Sequence, residues 1–551
     1  MEKAIKKYSV YFVLFFLFCI SFSTSSDFSQ DLGRHLKLGE IILQTRTIPH
    51  INLFSYTNTI FPFINHHWLA EVFYFLLKNI FGLFSLQILK IGLVVFAGWV
   101  SIKSGLAKGS LLVVLLVSLF LFPLLLDRLD IRPELFGFLF FSILLYILFF
   151  QEQKKLYYLV PFILLLWVNI HITFIFGIGL VILKRKKILL ALSFLVLLLN
   201  PHGLTGILYP LNIWKNYGYT IAENQNLFFL KSVMSNPLIQ YFLLSIPFIF
   251  IALFVLCARK KYTLFILLLI FFILPFWQIR HMPFFVLAAI PTVSYAFSQV
   301  LFSTITNSRF EQYRKIMYGV LILLCILFSS AFILNTYYQV FDKNKSFGIG
   351  FDESQKQATD FVLKSKLKGN MFNNFDIGGY AIYRLFPTYK VFVDNRPEAY
   401  PAEFFQNIYI PMQENRELRE KIFKQYNIHT VFFSHTDMTP WGKTFLEQIL
   451  KESQWKIVYL DDSIIILTDE ETYSDVRSND TYMMQLVSSQ DNYLSLLRLS
   501  SVMSTMGRND LSRQAFIKAQ KINPSSCTIQ RATYEIDPSN KSWVCSSFFS
   551  F

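Results

Sequence analysis

The sequence predicts a polytopic α-helical membrane protein that ends in a small α/β domain and a helical tail. Three observations predict this class. Hydrophobic residues make up 54% of the 551-residue chain, and charged residues only 16%. Apolar runs of membrane-crossing length recur through the first two thirds. After about residue 340 these runs stop, and strand-like segments alternate with helical ones.

Eleven apolar runs are the predicted membrane spans. The first follows a basic start, as in a signal peptide, but no small-x-small cleavage site precedes Asp27, so we interpret it as an uncleaved span. We expect a break at Asn169, because one continuous helix there would bury Asn169 and His171 in the membrane. The runs lie at about 8–25, 86–102, 110–126, 134–150, 156–169, 172–183, 188–200, 237–257, 262–278, 283–301 and 316–335.

Charge is distributed unevenly between alternate loops. The loops on one side hold seventeen Lys/Arg and three acidic residues, which accounts for +14 of the formal charge of +15. The segment after residue 335 is balanced, with 24 basic and 25 acidic residues. The excess is therefore the positive-inside signal of a membrane protein and predicts no nucleic-acid partner. It predicts a cytoplasmic N-terminus and an external C-terminal third, which in a bacterial inner membrane lies in the periplasm.

The chain divides into three predicted regions. Residues 1–338 form the membrane domain, with a first outer loop at 27–66 and an amphipathic helix at 66–83 that lies at the outer interface. Residues 339–472 form an extracytoplasmic α/β domain with a partly parallel sheet. Residues 473–551 form a helical segment.

Strands in the α/β domain are predicted at short segments rich in β-branched and aromatic residues, which alternate along the chain with helical segments. A helix containing the sequence IGGYAIYRLF is expected after the first strand, and a long helical stretch is expected over 403–426. The predicted strands lie at 371–375, 389–396 and 428–435, with a hairpin at 455–469.

The helical tail resembles one tetratricopeptide-type unit, on the basis of Gly507, Ala515, Ala519 and Pro524. A single unit cannot bury its own apolar face, so we expect it to pack on the α/β domain or on a protein partner. Cys527 and Cys545 of the tail could form a disulfide or remain free thiols. The chain contains no Cys/His spacing typical of zinc or haem sites.

Polar side chains suited to chemistry collect at the predicted outer ends of the spans. In the first outer loop, Asp27, Asp31 and His35 follow at i, i+4 and i+8, which places them on one face of a helix. A carboxylate base beside guanidinium and imidazole groups is suited to a substrate that carries an anionic phosphate. The other candidate substrate-binding residues are His66, His67, Glu71, Arg128, Arg132, His171, His202, Arg280 and His281.

Structural roles remain open for these residues. Asp27 and Asp31 could cap the helix that follows the first span. The arginines could extend from span ends to lipid headgroups, and the histidines could be hydrogen-bonded structural residues. Farther along, Gly378–Gly379 could permit a close backbone approach, and Asp394 with Arg396 could form a local ion pair.

Taken in order, the motifs resemble the GT-C superfamily of integral-membrane glycosyltransferases, which includes protein O-mannosyltransferases and aminoarabinose transferases. The resemblance is greatest to a poorly characterised bacterial branch. The sequence departs from that branch at His67, where Glu is more usual, and the role of that carboxylate could pass to Glu71. The matching motifs are Asp31 to His35, Gly39-Glu40, Ile48-Pro49, Phe54 to Thr57, His66 to Glu71, Arg132-Pro133, Asn169-x-His171, Asn200-Pro201-x-Gly203, Arg280-His281, Gly378 to Tyr380 and Val393 to Arg396.

The resemblance implies a transferase that takes a sugar from a polyprenyl-phosphate donor at the outer face. The acceptor would be a glycan, a lipid or a protein. It implies an essential acidic residue in the first loop, for which Asp31 is the first candidate and Asp27 the second. Some family members use a divalent cation, so Mg²⁺ or Mn²⁺ could bind Asp27, Asp31 and His35. The candidate phosphate ligands are Arg128, Arg132, Arg280 and His281.

Two other classes remain as alternatives. A transporter or flippase of lipid-linked saccharide predicts polar residues at mid-membrane depth and internal repeats, whereas the polar residues here lie mainly at span ends. A non-catalytic assembly or scaffold protein would use the helical tail to bind its partner.

Overall fold

The computed structural model describes residues 2–25, 28, 30–214, 217–233, 236–301 and 308–536. Asp27 and Cys545 therefore lie outside the described residues. The helices of the N-terminal part are α1 Glu2–Ser21, α2 Asp31–Thr45, α3 Trp68–Phe81, α4 Phe84–Leu106, α5 Leu111–Leu121, α6 Glu134–Leu145, α7 Leu159–Val168, α8 Phe174–Lys184, α9 Lys187–Leu197, α10 Gly203–Leu208, α11 Leu227–Val233, α12 Pro237–Ala258, α13 Tyr262–Trp277, α14 Met282–Leu301, α15 Ser308–Ile333 and α16 Thr336–Val340.

Five of the described helical segments are long and apolar enough to cross a membrane, as expected for a multi-pass membrane protein. The predicted break at Asn169 is confirmed, since α7 ends at Val168 and α8 begins at Phe174. The count of eleven spans and the sidedness stay predictions. The five segments are Phe84–Leu106, Leu111–Arg128, Pro237–Ala258, Ile279–Val300 and Tyr313–Ile333.

The loops predicted to face the cytoplasm meet at one end of the helices. Lys108 Nζ donates to the carbonyl of Phe149 at 2.9 Å. The backbone N–H of Ser110 donates to Ser298 Oγ, also at 2.9 Å. At the other end, the start of α4 contacts the segment that leads to the sheet, because Gln87 Nε2 donates to the carbonyl of Gly350 at 2.8 Å. The sheet therefore lies at the end opposite the basic loops.

The sheet has four strands in the order β1-β2-β4-β3. β1 (Asn370–Asn373) is parallel to β2 (Ile428–Ser434), and β4 (Ile464–Thr468) is antiparallel to both β2 and β3 (Lys456–Leu460). The predicted partly parallel sheet and C-terminal hairpin are confirmed. The helices around the sheet are α17 Lys356–Ser365, α18 Gly378–Leu385, α19 Ala402–Phe404, α20 Pro411–Glu414, α21 Arg416–Gln425 and α22 Pro440–Ile449.

The strand predicted at 389–396 is wrong. Only Val391 makes an isolated bridge there, with Ser55 of the first loop. The chain turns instead of extending, because Asp394 Oδ1 accepts from both the backbone N–H and Nε of Arg396, at 3.1 and 2.7 Å.

The continuous helical stretch predicted over 403–426 is likewise divided. Pro411 begins one short helix, and the Asn415 side chain caps the next.

The described part of the tail forms four α-helices, of which α24 and α25 are a helical hairpin joined through Gly507 at φ +78°. The tail packs on the sheet region, since Tyr482 Oη donates to the carbonyl of Leu460 at 2.8 Å. Cys527 is disulfide-bonded. The tetratricopeptide likeness, the protein partner and the domain boundaries stay predictions. The tail helices are α23 Asp480–Ser488, α24 Tyr493–Thr505, α25 Asn509–Ile522 and α26 Cys527–Ile536.

Candidate active site

Asp31 is the first residue of α2, and three side chains from three parts of the chain hold its carboxylate. Arg34 Nη2 donates to Oδ1 at 3.1 Å, and Asn395 Nδ2 donates to the same oxygen at 2.5 Å. Arg132 Nη2 lies 3.5 Å from Oδ2. The Asp31 side chain keeps 21% of its surface exposed. It is therefore fixed in position yet accessible to a substrate.

The electrostatics favour an ionised Asp31. Burial alone would raise the pKa of its carboxyl, but Arg132 and Arg34 outweigh burial and hold the pKa below the ordinary value. A carboxylate of this kind is ready to accept a hydrogen bond or a proton at neutral pH.

Two arginines predicted as phosphate ligands lie together, bridged by a glutamate that the sequence analysis missed. Glu223 accepts from Arg128 Nη1 at 2.7 Å and from Arg132 Nη1 at 2.5 Å. Arg128 also donates to Glu134 at 2.5 Å. One sequence signal could have identified Glu223, because it is the only acidic residue between Asn200 and Asn236.

The same loop segment binds the third predicted arginine. Arg280 Nη1 donates to Asn224 Oδ1 at 2.8 Å, one residue beyond Glu223. Arg128, Arg132 and Arg280 are therefore joined through residues 223–224, and Arg132 joins this arginine cluster to Asp31.

Glu71 is fully buried and holds His35. His35 Nδ1 donates to Glu71 Oε1 at 2.9 Å, and Asn65 Nδ2 donates to the other carboxylate oxygen at 2.6 Å. Helices α2 and α3 approach closely at this point, since a Cβ added to Gly39 would lie 2.1 Å from the carbonyl oxygen of Glu71. The first-loop motifs therefore lock the helix that carries Asp31 to the helix that follows the loop.

Four of the predicted histidines form one cluster. The ring of His67 lies 5.4 Å from that of His35, 3.9 Å from that of His66 and 5.1 Å from that of His171. Burial lowers the pKa of all four, that of His66 to about 3. His67 Nδ1 donates to the carbonyl of Ile170 at 3.1 Å. The cluster is therefore composed of neutral imidazoles.

This cluster predicts acid lability. A histidine whose pKa is lower in the folded state contributes stability that is lost as pH falls below its unfolded value of 6.5. At pH 5 the loss is at most about 2 kcal/mol for each such histidine. We expect the melting temperature of the detergent-purified protein to fall between pH 6.5 and pH 5, and to fall less in His66→Gln. As a control, His429→Gln, on the exposed side of the sheet, should keep the full decline. An identical decline in all three proteins would contradict the assignment.

The remaining predicted residues have other surroundings. His202 packs edge-on against His50, with ring centroids 5.2 Å apart, and His281 packs against Phe176 at 5.4 Å. Asp27 lies outside the described residues. Within the described ranges, no group of three His, Cys, Asp or Glu side chains could hold a metal ion. The surroundings of Asp31 do not fit a divalent ion, because two arginines and an amide already contact its oxygens.

The Gly378 to Tyr380 and Val393 to Arg396 motifs close the site from the sheet side. A Cβ on Gly379 would lie 1.7 Å from the carbonyl oxygen of Gln30, and one on Gly378 would lie 2.5 Å from that of Val393. Asp394 and Arg396 form a buried pair at 2.7 Å, as the structural alternative predicted. Between them, Asn395 reaches Asp31, which the sequence analysis did not predict.

A cavity of about 370 Å³ adjoins the arginine cluster. Arg128 and Glu223 lie in its wall, together with Lys343 and Lys345. Asp127 and Asp130 also lie in the wall and pair with these lysines, at 3.4 and 2.8 Å. Most of the remaining lining side chains are apolar or tyrosines. We call it the apolar cavity; its apolar lining includes Ile20, Leu124, Leu126, Leu230, Leu238, Ile279 and Met282.

No protein-family model and no curated protein matches the sequence. Solved structures do match. The archaeal oligosaccharyltransferase AglB from Archaeoglobus fulgidus, in complex with an inhibitory peptide and a dolichol-phosphate, aligns over 96% of this chain and 86% of that chain, with a TM-score of 0.56 and 10% sequence identity. A second structure, the Archaeoglobus fulgidus oligosaccharyltransferase tethered to an acceptor peptide containing the NVT sequon, aligns over 80% of this chain and 70% of that chain, with a TM-score of 0.50 and 12% identity.

At this level of identity the likeness shows the fold. It extends over nearly the whole chain and includes the sheet and tail as well as the membrane helices. The chain has the fold of the archaeal oligosaccharyltransferases, a glycosyltransferase fold of the kind that the resemblance of its ordered motifs implied.

Proposed function

We propose that the protein is a membrane glycosyltransferase that transfers a sugar from a polyprenyl-phosphate donor to an acceptor on the outer face of the membrane. The observation that carries the proposal is the ionised Asp31 carboxylate, which is held by Arg132 beside an arginine cluster at the wall of an apolar cavity. A base, a phosphate site and a cavity for a lipid chain are the parts that such a reaction needs.

Each step can be assigned to side chains of this chain. Asp31 takes the proton of the acceptor hydroxyl, whose oxygen forms a bond to the anomeric carbon of the donor. The bond from that carbon to the phosphate oxygen breaks, and its electron pair leaves with the phosphate. Attack opposite the leaving group inverts the anomeric configuration. Arg128 and Arg132 stabilise the departing charge.

The arginine cluster supports the phosphate assignment. Arg128 and Arg132 each donate to one oxygen of the Glu223 carboxylate. Like the Glu223 carboxylate, a phosphate group presents two anionic oxygens side by side. Guanidinium groups bind carboxylates and phosphates alike by charge-assisted hydrogen bonds. The solved AglB structure, which has the same fold, contains a dolichol-phosphate.

Binding of polyprenyl phosphate to the purified protein tests this assignment. We expect the protein to bind polyprenyl phosphate more tightly than the neutral polyprenol, and Arg128→Gln to weaken the phosphate lipid about tenfold, since a hydrogen bond to a charged group is worth about 1.5–3 kcal/mol. Lys343→Gln, which removes a half-buried lysine from the same wall, should act in the same direction. Native mass spectrometry and tryptophan fluorescence would measure the affinity of each protein for the two lipids.

A matched control is Arg416→Gln, which changes an exposed arginine on α21. It should bind both lipids like the wild-type protein. Equal affinity for the phosphate lipid and the polyprenol would overturn the donor site. Translocation of lipid-linked saccharide across vesicles without any sugar transfer would favour the transporter alternative.

We also propose that the sheet and the helical tail lie outside, in the periplasm of a bacterial cell. The charge distribution supports this, as does the separation of the basic loops from the sheet.

A further inference from the structure

A second cavity, of about 380 Å³, lies at one edge of the sheet. β1 and β2 are parallel and end at Asn373 and Ser434. The side chains that follow both strands therefore meet at the same edge, where Asn374, Asp376 and Asp437 enter the cavity wall. The carboxyl edge of parallel strands is where ligands bind in open α/β sheets. We call this the sheet-edge cavity.

The sheet-edge cavity lies beside the proposed base and the apolar cavity. Gln30, the residue before Asp31, is part of its wall. Asn344 lines both this cavity and the apolar cavity. A ligand in the sheet-edge cavity would therefore contact the residue that precedes Asp31, and a lipid-linked donor in the apolar cavity would lie on the other side of Asn344.

The lining of the sheet-edge cavity indicates the chemistry of its ligand. Carboxylates of Asp352, Asp376 and Asp437 can accept hydrogen bonds, and the guanidinium of Arg498 can donate them. The Asn374 amide already donates to Asp437 Oδ2 at 3.0 Å and has a second N–H. A sugar hydroxyl both donates and accepts, so a polyhydroxylated ligand can use this mixture. Three carboxylates against one arginine disfavour an acidic ligand, and the few apolar side chains give a peptide little to anchor on.

Asp376 is the side chain best placed to distinguish a neutral polyhydroxylated ligand from an acidic one. Its side chain is exposed toward the cavity, whereas the residues on either side of it, Phe375 and Ile377, are buried. Although the side chain faces the cavity, the walls around it partly exclude water from its carboxyl, and this desolvation together with the nearby Asp437 raises the pKa of Asp376 to about 7. At neutral pH it can therefore donate a hydrogen bond in its acid form or accept one as a carboxylate.

The helical tail completes this cavity. Arg498 belongs to α24 and is held by Asp462 at 3.7 Å and by Ser463 Oγ at 3.5 Å, both in the turn between β3 and β4. The tail thus contributes a hydrogen-bond donor directly to the wall.

We propose that the sheet-edge cavity is the acceptor subsite and that it binds a saccharide acceptor that carries no acidic group. The proposal rests on the proposed function and specifies its acceptor class. The acceptor hydroxyl then reaches Asp31 from the sheet side, and the donor reaches it from the membrane side.

Saturation-transfer NMR on the full-length protein in detergent tests this proposal. The probes are neutral disaccharides of glucose, galactose, mannose and N-acetylglucosamine, together with uronic-acid disaccharides and hydroxyl-containing tripeptides. At least one neutral disaccharide should bind. Asp376→Asn and Arg498→Gln should each weaken that binding roughly fivefold, the loss expected for one hydrogen bond. As a matched control, Asp469→Asn, on the other side of the sheet, should leave it unchanged.

Three results would overturn the acceptor subsite: no neutral disaccharide binds, the bound sugar is insensitive to both variants, or the tripeptides or uronates bind in preference. The affinity for polyprenyl phosphate, measured on the same samples, separates the two proposals. It should be unchanged in Asp376→Asn. If the wild-type protein binds the saccharide but shows no preference for polyprenyl phosphate over the neutral polyprenol, only the donor site is overturned.

Discussion

Asp31→Asn should abolish sugar transfer, lowering the rate by roughly 10²–10⁴-fold, the usual contribution of a general base. Asparagine has nearly the same shape and still accepts a hydrogen bond from Arg34, but it cannot take the proton of an acceptor hydroxyl. The Asp31 carboxylate is ionised because Arg132 and Arg34 hold its pKa down. The rate of transfer from a polyprenyl-phosphate sugar to the acceptor, measured in membranes with equal protein levels, is the direct readout.

The effect should be confined to the chemical step. Asp31→Asn should keep the affinity for polyprenyl phosphate and the melting temperature within a small margin of the wild-type values. Asp360→Asn, in α17 of the sheet region, is a matched control that should transfer sugar normally. Undiminished transfer by Asp31→Asn would remove Asp31 from the mechanism, and Glu223→Gln would then test the other carboxylate bound to Arg132.

Gly379→Ala should lower transfer by about 100-fold without touching a reacting atom. The added Cβ would lie 1.7 Å from the carbonyl oxygen of Gln30, so the start of α2 must shift, and a displacement of about 1 Å in a catalytic group can cost 10²-fold. Such overpacking also costs about 1–3 kcal/mol of stability. Transfer rate and melting temperature would measure the two effects.

The chain offers glycine controls of the same size. At Gly92 in α4 and Gly179 in α8, an added Cβ would have no heavy atom within 4 Å other than those of its chain neighbours and its own helix backbone. Alanine at either position should leave transfer unchanged, and it favours the helix by up to about 1 kcal/mol. Full activity and stability in Gly379→Ala would show that the contact between α18 and α2 does not position Asp31.

The sequence correctly predicts those structural features that depend on a single residue or on one contiguous segment. Long apolar runs predicted the membrane helices, short segments rich in β-branched and aromatic residues predicted β2 and the final hairpin, and the glycines of the Gly378 to Tyr380 motif predicted a close approach. The spacing of Asp31 and His35 on one helical face also agrees with α2.

The site itself was harder to predict, because its contacts join distant parts of the chain. Asn395 lies 364 residues from Asp31. The Val393 to Arg396 segment had the pattern of a strand, and only the internal pair of Asp394 and Arg396 turns Asn395 toward α2. Glu223 lies in a three-residue 3-10 helix, Ala222–Asn224, which is too short to have a hydrophobic period that the sequence could reveal.

Helix α2 is held by two close backbone approaches, one at its start and one just past its middle. Gly379 lies against the carbonyl of Gln30, and Gly39 lies against the carbonyl of Glu71. The walls of the two cavities, by contrast, come from several separate segments, including Lys343 to Lys345 and the tail helix with Arg498. Substrate preference can therefore be redesigned at those walls, with a different donor lipid or acceptor sugar accommodated while the catalytic carboxylate stays in the same place.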